Sequence, residues 1–471
     1  MKHASAAAAL IATLCAGCMV GPDYQRPAVP MTDSYKEMEG WKVAQPRDAA
    51  PRGPWWEIFD DPELNALEEQ VAAANQDLLV AEARLREARA RVGFFRASLL
   101  PTISAGVGIA SLNVSDNKPY VPRNPNASGD VIASLDMAYE IDVWGRIRRT
   151  VDAARAAAQA SDADLETVRL SLQAEVALYY FELRSADAQQ KLLDQTVRAY
   201  TDALALTVHR YTGGASPKLD VAQAEAQLET TRVQATDVAV QRAQLEHAIA
   251  VLIGVPPAAF SLTQRPLVGR PPDVPVGVPS ELLERRPGIA AAERRVAAAN
   301  EEIGVARAAF FPTVMLNASV GVEGTGASNW LKWTSLFWAV GPSVTQTLFD
   351  AGRRRAVSDA ALARYDGAVA YYRQTTLTAF QEVENNLTAI RILEREADQQ
   401  AKAVKAAETA LQLSMNRYRG GLVTYLQVVT AQTASLANER NQVDIRRRRM
   451  NAAVLLVKAL GGSWQGEAAG R

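Results

Sequence analysis

The chain contains two copies of one sequence pattern, and this duplication limits its fold more than any other feature. An Arg-Tyr-x-Gly-Gly motif ending at Gly214 recurs 207 residues later, ending at Gly421. A second motif, which ends at Pro101, recurs 211 residues later and ends at Pro312. Because a long internal repeat encodes the same structural unit twice, we expect two tandem repeats. The expected boundaries are 62–254 for the first repeat, 255–288 for a proline-rich linker, 289–461 for the second repeat and 462–471 for a C-terminal tail.

Each repeat has the pattern of a helix, two strands, a long helix, a turn and a returning helix. Residues 147–212 include no Gly or Pro, and a helix of this length extends roughly 100 Å. Apolar residues recur along it at near-heptad spacing, which is typical of helices packed as a coiled coil. A glycine pair follows each long helix, as expected where a helix ends and the chain turns back. The first repeat is predicted as helix 62–100, strands 102–112 and 131–141, and helices 144–212 and 218–253. The second is predicted as helix 289–311, strands 313–322 and 337–348, and helices 353–419 and 422–460.

The strand segments alternate apolar and polar residues, which predicts a sheet with two different faces. Segments of about ten residues are long enough for a tilted strand to cross a bilayer, although a strand that covers a soluble core alternates in the same way. Four strands cannot close a barrel, so a membrane location requires several chains to share one. The polar positions, expected to face the lumen, are Ser134, Asp136, Asn317 and Ser319, and the apolar positions, expected to face lipid, are Leu135, Met137, Leu316 and Val320.

The N-terminus has the features of an export signal. Lys2 and His3 precede a short apolar run, and small residues lead to Cys18. This pattern predicts a lipoprotein signal peptide over residues 1–17 and a lipid-modified cysteine at position 18, whereas the simpler alternative is an ordinary secretory leader. Cys15 and Cys18 are the only cysteines, so no disulfide is expected in the mature chain. An irregular, extended segment follows over residues 18–61.

Composition argues against several other classes of function. The net charge is −1 and there are 3 histidines, so nucleic acid is not an expected partner, and no metal site or cofactor is expected beyond the lipid. Four consecutive arginines, Arg446 to Arg449, spread around a helix and favour a solvated or interhelical surface. No catalytic residues can be assembled from the motifs, so the chain is not expected to be an enzyme. Tyr211 and Tyr418, just before the glycine turns, suit either last-turn packing or contact with a partner.

Nearly the whole mature chain resembles the TolC-like outer membrane efflux proteins, and in particular their lipid-anchored NodT/OprM-type branch. The resemblance is carried by Gly21-Pro22-Asp23-Tyr24 after Cys18, by Trp55-Trp56 with Phe59-Asp60-Asp61-Pro62, by Arg285-Arg286-Pro287-Gly288, and by the two Arg-Tyr-x-Gly-Gly turns. It implies a mainly α fold with a small β part. It also implies a homotrimer with a shared 12-stranded barrel, a periplasmic helical barrel and an equatorial region that includes residues 18–61, the linker and the tail.

The same resemblance implies a function and a set of sites. The chain would be the passive exit duct of a tripartite efflux system in the outer membrane of a Gram-negative bacterium, with a large periplasmic part. Its partners would be a periplasmic membrane-fusion adaptor and an inner-membrane transporter, of RND type, and Met19 after the lipidated cysteine implies outer membrane sorting. The implied adaptor contacts are the hairpin tips at Tyr211, Gly213, Gly214, Tyr418, Gly420 and Gly421. The implied aperture lining is Asp220, Gln427 and Thr430, the last two occupying positions where TolC has aspartates.

Three alternatives to this function are open at this point. One is the outer membrane duct of a type I protein secretion system, and another is a lipid-anchored periplasmic coiled-coil spacer without a pore. Strands of barrel-compatible length argue against the spacer. The third, an exported enzyme, is disfavoured by the lack of a recognisable catalytic constellation.

Overall fold

The computed structural model describes residues 19–29, 53–112, 128–272, 286–325, 330 and 332–462. In this part of the chain the fold is mainly helical with one small four-stranded sheet. The predicted leader, Cys18, residues 273–285 of the linker and residues 463–471 of the tail lie outside the described residues.

The helices and strands follow one another in a fixed order. The α-helices are α1 (Pro62–Ala74), α2 (Gln76–Ala97), α3 (Arg146–Thr212), α4 (Lys218–Leu252), α5 (Pro287–Ala308), α6 (Arg353–Arg419) and α7 (Tyr425–Ala459). The strands are β1 (Thr102–Leu112) and β2 (Ser128–Ile141), between α2 and α3, and β3 (Thr313–Gly324) and β4 (Leu336–Thr345), between α5 and α6. Helices α3 and α6 have 67 residues each, and α4 and α7 have 35 each.

A break at Asn75 divides the segment that the sequence predicts as one helix over 62–100. Asn75 has extended backbone angles, with φ −66° and ψ 126°. Its side-chain Nδ2 donates to the carbonyl of Leu252 at 2.7 Å, and its Oδ1 accepts from the amide of Leu78 at 3.0 Å. The single-helix prediction was therefore wrong, because Asn75 caps a new helix while it is held by the end of α4.

Other element ends differ from the prediction for local reasons. Helices α2 and α5 end at Ala97 and Ala308, about three residues early, because turns with i→i+3 hydrogen bonds precede Pro101 and Pro312. Strand β4 ends at Thr345 and not at 348, because its partner strand starts at Thr313, which pairs with Thr345. Helix α7 starts at Tyr425 and not at 422, because Thr424 keeps the extended conformation of an N-cap residue.

The sheet is an antiparallel meander with the order β1-β2-β3-β4. Its register pairs Ser104 with Asp136, Asp136 with Ser319, and Leu135 with Val320. Among the described residues, β1 and β4 are therefore the two edge strands, and each pairs on one side only.

The chain divides into two compact units. Unit 1 comprises residues 1–28, 84–162 and 291–373, and it includes the whole sheet. Its helices pack around a cluster formed by Ile303, Ala306 and Ala361, with Tyr365 against it.

Unit 2 comprises residues 29–83, 163–290 and 374–471. In its coiled-coil part, Leu193 of α3, Val238 of α4 and Leu436 of α7 pack in one cluster. This is the side-by-side helix packing that the near-heptad spacing predicts.

The first residues of the linker are fixed to α1, α3 and α4 by a charged cluster in unit 2. Arg265 donates to both carboxylate oxygens of Asp61, at 2.9 and 2.6 Å, and Tyr180 donates to Asp61 at 2.7 Å. Partial burial raises the pKa of Asp61, but the hydrogen bonds from Arg265 and Tyr180 outweigh it and hold that pKa below its ordinary value. Arg242 adds bonds to Asp187 at 2.7 Å and to the carbonyl of Leu262 at 2.6 Å, so the linker begins as an ordered segment.

Within the described ranges, no helix is both long enough and apolar enough to cross a membrane.

Candidate functional site

The sheet in unit 1 brings the predicted polar residues to one face. Residues directly opposite each other in a sheet share a face, and alternate residues along a strand do too. The register therefore aligns Ser104, Asp136 and Ser319 in one row across three strands. Ser134 and Asn317 lie on the same face, two residues from this row along their strands. Sequence reasoning missed Ser104, although its alternation with Ile103 and Ala105 was a usable signal.

Asp136 is the centre of this polar face. Ser134 Oγ donates to Asp136 Oδ2 at 2.7 Å, and Ser319 Oγ donates to Asp136 Oδ1 at 2.7 Å. Each carboxylate oxygen thus has a hydroxyl donor, while the side chain as a whole is exposed. The two hydrogen bonds hold the negative charge of Asp136 at a fixed position on the polar face, where it can attract cations.

The opposite face is a continuous apolar surface. Leu135 pairs with Val320, which pairs with Trp338, and these side chains are exposed to 52%, 44% and 72%. Met137 and Leu316 lie on the same face by alternation. An exposed apolar surface of four strands requires a cover, which lipid or another protein surface can provide.

The N-terminal strap, residues 19–28, lies across unit 1. The amide of Val20 donates to the carbonyl of Trp144 at 3.1 Å, just after β2. Trp144 in turn donates to the carbonyl of Pro312 at 2.8 Å, just before β3. Val20, two residues after the predicted lipidation site, is therefore attached to one end of the sheet.

Arg149 fixes the middle of the strap. Its Nη1 donates to the carbonyl of Pro22 at 3.2 Å and to Glu301 at 2.7 Å, and its side chain is 2% exposed. Gly21, with φ +115°, lies against Gly304, where an added Cβ on Gly21 would be 2.6 Å from the Gly304 Cα. A side chain at Gly21 would therefore separate the strap from α5, and one at Gly304 would displace Arg149, whose Cδ lies 2.0 Å from the added carbon.

Two further side chains hold the end of the strap. Tyr24 donates to Glu293, and burial, helped by this bond, raises the pKa of Tyr24. Arg26 donates to the hydroxyl of Tyr372 at 2.8 and 3.0 Å and lies over its ring. The first and second repeats thus both contribute to the surface that binds the strap.

The two hairpin turns in unit 2 have the same backbone geometry. Gly214 has φ +73° and Gly421 has φ +71°, while their neighbours Gly213 and Gly420 do not have positive φ. In each turn, the residue after the second glycine donates to a carbonyl five residues back, at 2.7 and 3.0 Å. This is the Schellman arrangement, in which only the second glycine of each pair needs the left-handed conformation.

A hydrogen bond joins the two hairpins close to these turns. Tyr418 Oη donates to Asp220 Oδ2 at 3.2 Å, and Arg210 places its guanidinium 4.9 Å from the centre of the Tyr418 ring. Arg210 also donates to the carbonyl of Arg419 at 2.9 Å. Tyr425 packs edge-on against Tyr418 with ring centres 5.2 Å apart. We call these residues the tip cluster.

The structure places the predicted tip residues in two different environments. Tyr211 is 43% exposed, whereas its repeat equivalent Tyr418 is 1% exposed, and Asp220 is 4% exposed. Gln427 and Thr430 are exposed. Sequence reasoning missed Arg210 and Tyr425, which complete the cluster with Tyr418 and Asp220. The recurrence of Arg before Tyr in both turns was a signal for Arg210.

In the described segments, no group of three or more His, Cys, Asp or Glu side chains is arranged so that it could bind a metal ion.

Comparison with known proteins identifies the class. The family model described as "Outer membrane efflux protein" matches residues 67–255 and 278–462. The chain therefore belongs to the outer membrane efflux protein family.

Relatives match over nearly the full length. The pyoverdine export outer membrane protein OpmQ of Pseudomonas aeruginosa is 33% identical over 428 residues, which cover 90% of each chain. Outer membrane protein OprJ of the same species is 34% identical over 468 residues, covering 97% of this chain and 95% of OprJ. The solved structure of the outer-membrane channel OprN superposes with a TM-score of 0.87 at 31% identity, covering 95% of this chain and 100% of OprN. The prediction of an outer membrane efflux channel, and not an enzyme, is confirmed.

Proposed function

We propose that three copies of this chain form one passive duct, in which their sheets close a shared barrel across the outer membrane. Three sheets of four strands give twelve strands, within the range known for such barrels. The two repeats, each with a strand pair, a 67-residue helix and a 35-residue helix, then supply equivalent hairpins to the periplasmic part. The lumen is lined by the polar face at Ser134, Asp136, Asn317 and Ser319.

One observation carries this proposal. The described sheet is polar on one face and apolar on the other, and each of its edge strands has a single neighbour among the described residues. A hydrocarbon environment suits the apolar face but does not tolerate open edges, so the edges must pair with other copies. Trimer closure satisfies both requirements.

Single-channel conductance in planar bilayers tests the duct. The purified full chain should give steps of one unit size, and native mass spectrometry should give the mass of three chains. Asp136→Asn should reduce the preference for cations, because it removes three symmetry-related carboxylates from one ring. Ser319→Ala is the matched control, since it keeps every charge and should keep the preference. A protein without conductance, or a monomer in detergent, would exclude the shared duct.

The hairpin tips are proposed as the adaptor contact. Tyr211, together with the turns at Gly213, Gly214, Gly420 and Gly421, presents exposed surface, and buried Tyr418 supports this surface from within through the tip cluster. A photo-crosslinking residue at position 211, introduced in the native host, should capture a periplasmic adaptor protein. The same residue at exposed Lys191, roughly 30 Å away along α3, should not. Equal capture at both sites would remove the tip assignment.

The periplasmic opening of the duct is proposed to lie next to the hairpin tips. Gln427 and Thr430 are exposed on α7 and are proposed to line the periplasmic opening, with Asp220 adjoining it through its bond to Tyr418. Gln427→Asp should increase cation preference by adding a ring of three carboxylates, and Gln427→Glu should do the same. Unchanged selectivity in both variants would place Gln427 away from the opening.

Cys18 is proposed to carry the diacylglycerol and N-palmitoyl groups, which anchor the chain to the outer membrane. The leader supports this, and so does the attachment of the adjoining strap to the end of the sheet, where a membrane surface is expected. Labelling cells with a palmitate analogue should mark the wild type and leave Cys18→Ser unmarked. Equal labelling of both proteins would show that the lipid is elsewhere.

The cargo is proposed to be small molecules delivered by an inner-membrane transporter of RND type. The names of relatives support this, since one is a pyoverdine export protein and another is an antibiotic efflux pump protein. Deletion of the chain should increase susceptibility to small toxic compounds, and complementation should restore resistance. Normal susceptibility with loss of a secreted protein would instead favour the type I secretion alternative.

A further inference from the structure

Unit 2 contains a cavity of about 350 Å³ whose charged lining is entirely basic among the described residues. Arg270 of the linker and Arg446 and Arg449 of α7 line it, together with the amides Gln400 and Gln442. Two of these arginines belong to the run of four that the sequence contains at 446–449.

The members of this arginine run have different partners. Arg447 donates to Asp444 at 2.8 Å and Arg448 donates to Glu396 at 3.2 Å, so these two are neutralised outside the cavity. Arg446 is exposed and donates to the carbonyl of Leu267 at 3.2 Å, and it has no carboxylate partner among the described residues. Within the described part of the chain, Arg449 and Arg270 make no hydrogen bond or ion pair.

The walls of the cavity are held in place independently of any ligand. The amide of Leu267 donates to the carbonyl of Arg184 at 2.9 Å, while its own carbonyl accepts from Arg446. Gln400 Nε2 donates to the carbonyl and side-chain oxygens of Asn438, both at 3.0 Å. Ile445, which is 4% exposed, provides an apolar part of the lining. The linker, α6 and α7 therefore form a defined recess.

Three guanidinium groups around one recess repel each other, and although solvent screens the exposed Arg270 and Arg446, an anion between the three groups turns this repulsion into attraction. Guanidinium groups bind phosphate oxygens in pairs of parallel hydrogen bonds, and three of them exceed what one carboxylate can neutralise. A volume of about 350 Å³ is at the small end of ligand sites and leaves room for an organic substituent.

We propose that this cavity binds a phosphate group, either as inorganic phosphate or as a small phosphate monoester. The bound group joins the linker at Arg270 to α7 at Arg446 and Arg449. This site is separate from the polar face of the sheet and from the tip cluster, and it does not depend on the proposed conduction or assembly.

Isothermal titration calorimetry of the detergent-solubilised full chain tests the site, with inorganic phosphate and glycerol 3-phosphate as the two probes. Each probe should bind with a stoichiometry of one per chain. The probe with the lower Kd indicates whether the natural ligand is free phosphate or a phosphate monoester. Arg449→Gln should weaken binding at least about tenfold, since it removes a charge-assisted pair of hydrogen bonds. The double variant Arg270→Gln/Arg449→Gln should abolish saturable binding.

The matched control is Arg198→Gln, which removes an exposed arginine of α3 and should leave the affinity for phosphate unchanged. Sodium chloride at equal ionic strength should give no saturable heat, which separates a site from general charge screening. Circular dichroism and gel filtration of each variant must match the wild type. The absence of saturable phosphate binding, or equal binding by the double variant, would overturn the proposal.

Discussion

Alanine at Gly304 should destabilise the protein, whereas alanine at its repeat equivalent, Gly93, should stabilise it. Both glycines lie inside helices, where replacing Gly by Ala gains about 1 kcal/mol of helix propensity. A Cβ on Gly93 meets nothing within 4 Å, so that gain should appear in full. The two variants thus make the same chemical change, Gly to Ala, in two different environments.

At Gly304 the added carbon meets a side chain that cannot easily move. The Cβ would lie 2.0 Å from Arg149 Cδ and 2.4 Å from its Nε, and that side chain is 2% exposed. Overpacking of this kind costs about 1 to 3 kcal/mol. If Arg149 is forced away from Glu301, loss of a buried ion pair costs about 3 to 5 kcal/mol. After the helix gain of about 1 kcal/mol is subtracted, Gly304→Ala should lower the free energy of unfolding by up to about 2 kcal/mol through overpacking alone, and by about 2 to 4 kcal/mol if the ion pair is lost.

Denaturant unfolding in detergent, followed by circular dichroism, measures both variants against the wild type. Hydrogen exchange gives an independent readout, because the Val20 amide bonds to Trp144 only while the strap is docked. Exchange at Val20 should accelerate in Gly304→Ala and stay slow in Gly93→Ala. A Gly304→Ala protein that gains as much stability as Gly93→Ala would refute the close packing of Arg149 against α5.

Three further predictions test the other sites. Leu135→Arg should cost about 2 to 4 kcal/mol in bilayers if it lies near the membrane centre, whereas Ser134→Arg on the polar face should assemble normally; equal assembly yields would contradict the assignment of the faces. Gly421→Ala should cost about 1 to 2 kcal/mol at φ +71° and reduce adaptor crosslinking, while Gly420→Ala should change neither quantity. Burial raises the pKa of Tyr425 to about 12 from 10.0, so its stabilising contribution is complete below pH 10.0 and is lost as the pH rises to about 12. Tyr425→Phe should remove that part of the alkaline loss of stability, and an unchanged alkaline unfolding curve would contradict it.

The helices and strands were predictable because their signals are local. Long segments with little or no glycine and proline form the helices, and these residues occur where the helices end. The alternation of apolar and polar residues identifies the two faces of the sheet. The break at Asn75 was not predictable in this way, because it depends on a bond to Leu252, which is 177 residues away. The sequence around it also has good helix-forming residues on both sides.

The tip cluster illustrates a second limit of sequence reasoning. Tyr211 and Tyr418 each follow an arginine and precede a glycine pair by one residue, so the repeat suggests equal roles. Asp220 and Gln427 occupy equivalent places after the two turns, but Asp220 accepts a hydrogen bond from Tyr418. Which tyrosine becomes buried depends on how the two hairpins meet, and that is a tertiary property.

The attachments of the N-terminal strap also determine when it can fold. Its contacts are among the most distant along the chain: Pro22 binds Asn300 across 278 residues, Tyr24 binds Glu293 across 269, and Arg26 binds Tyr372 across 346. Closing loops of this length carries an entropic cost that only a nearly complete chain can offset. The strap can therefore dock completely only after the chain as far as Tyr372 is present. Docking of the strap therefore also sets the distance between the sheet and any group attached at the start of the strap.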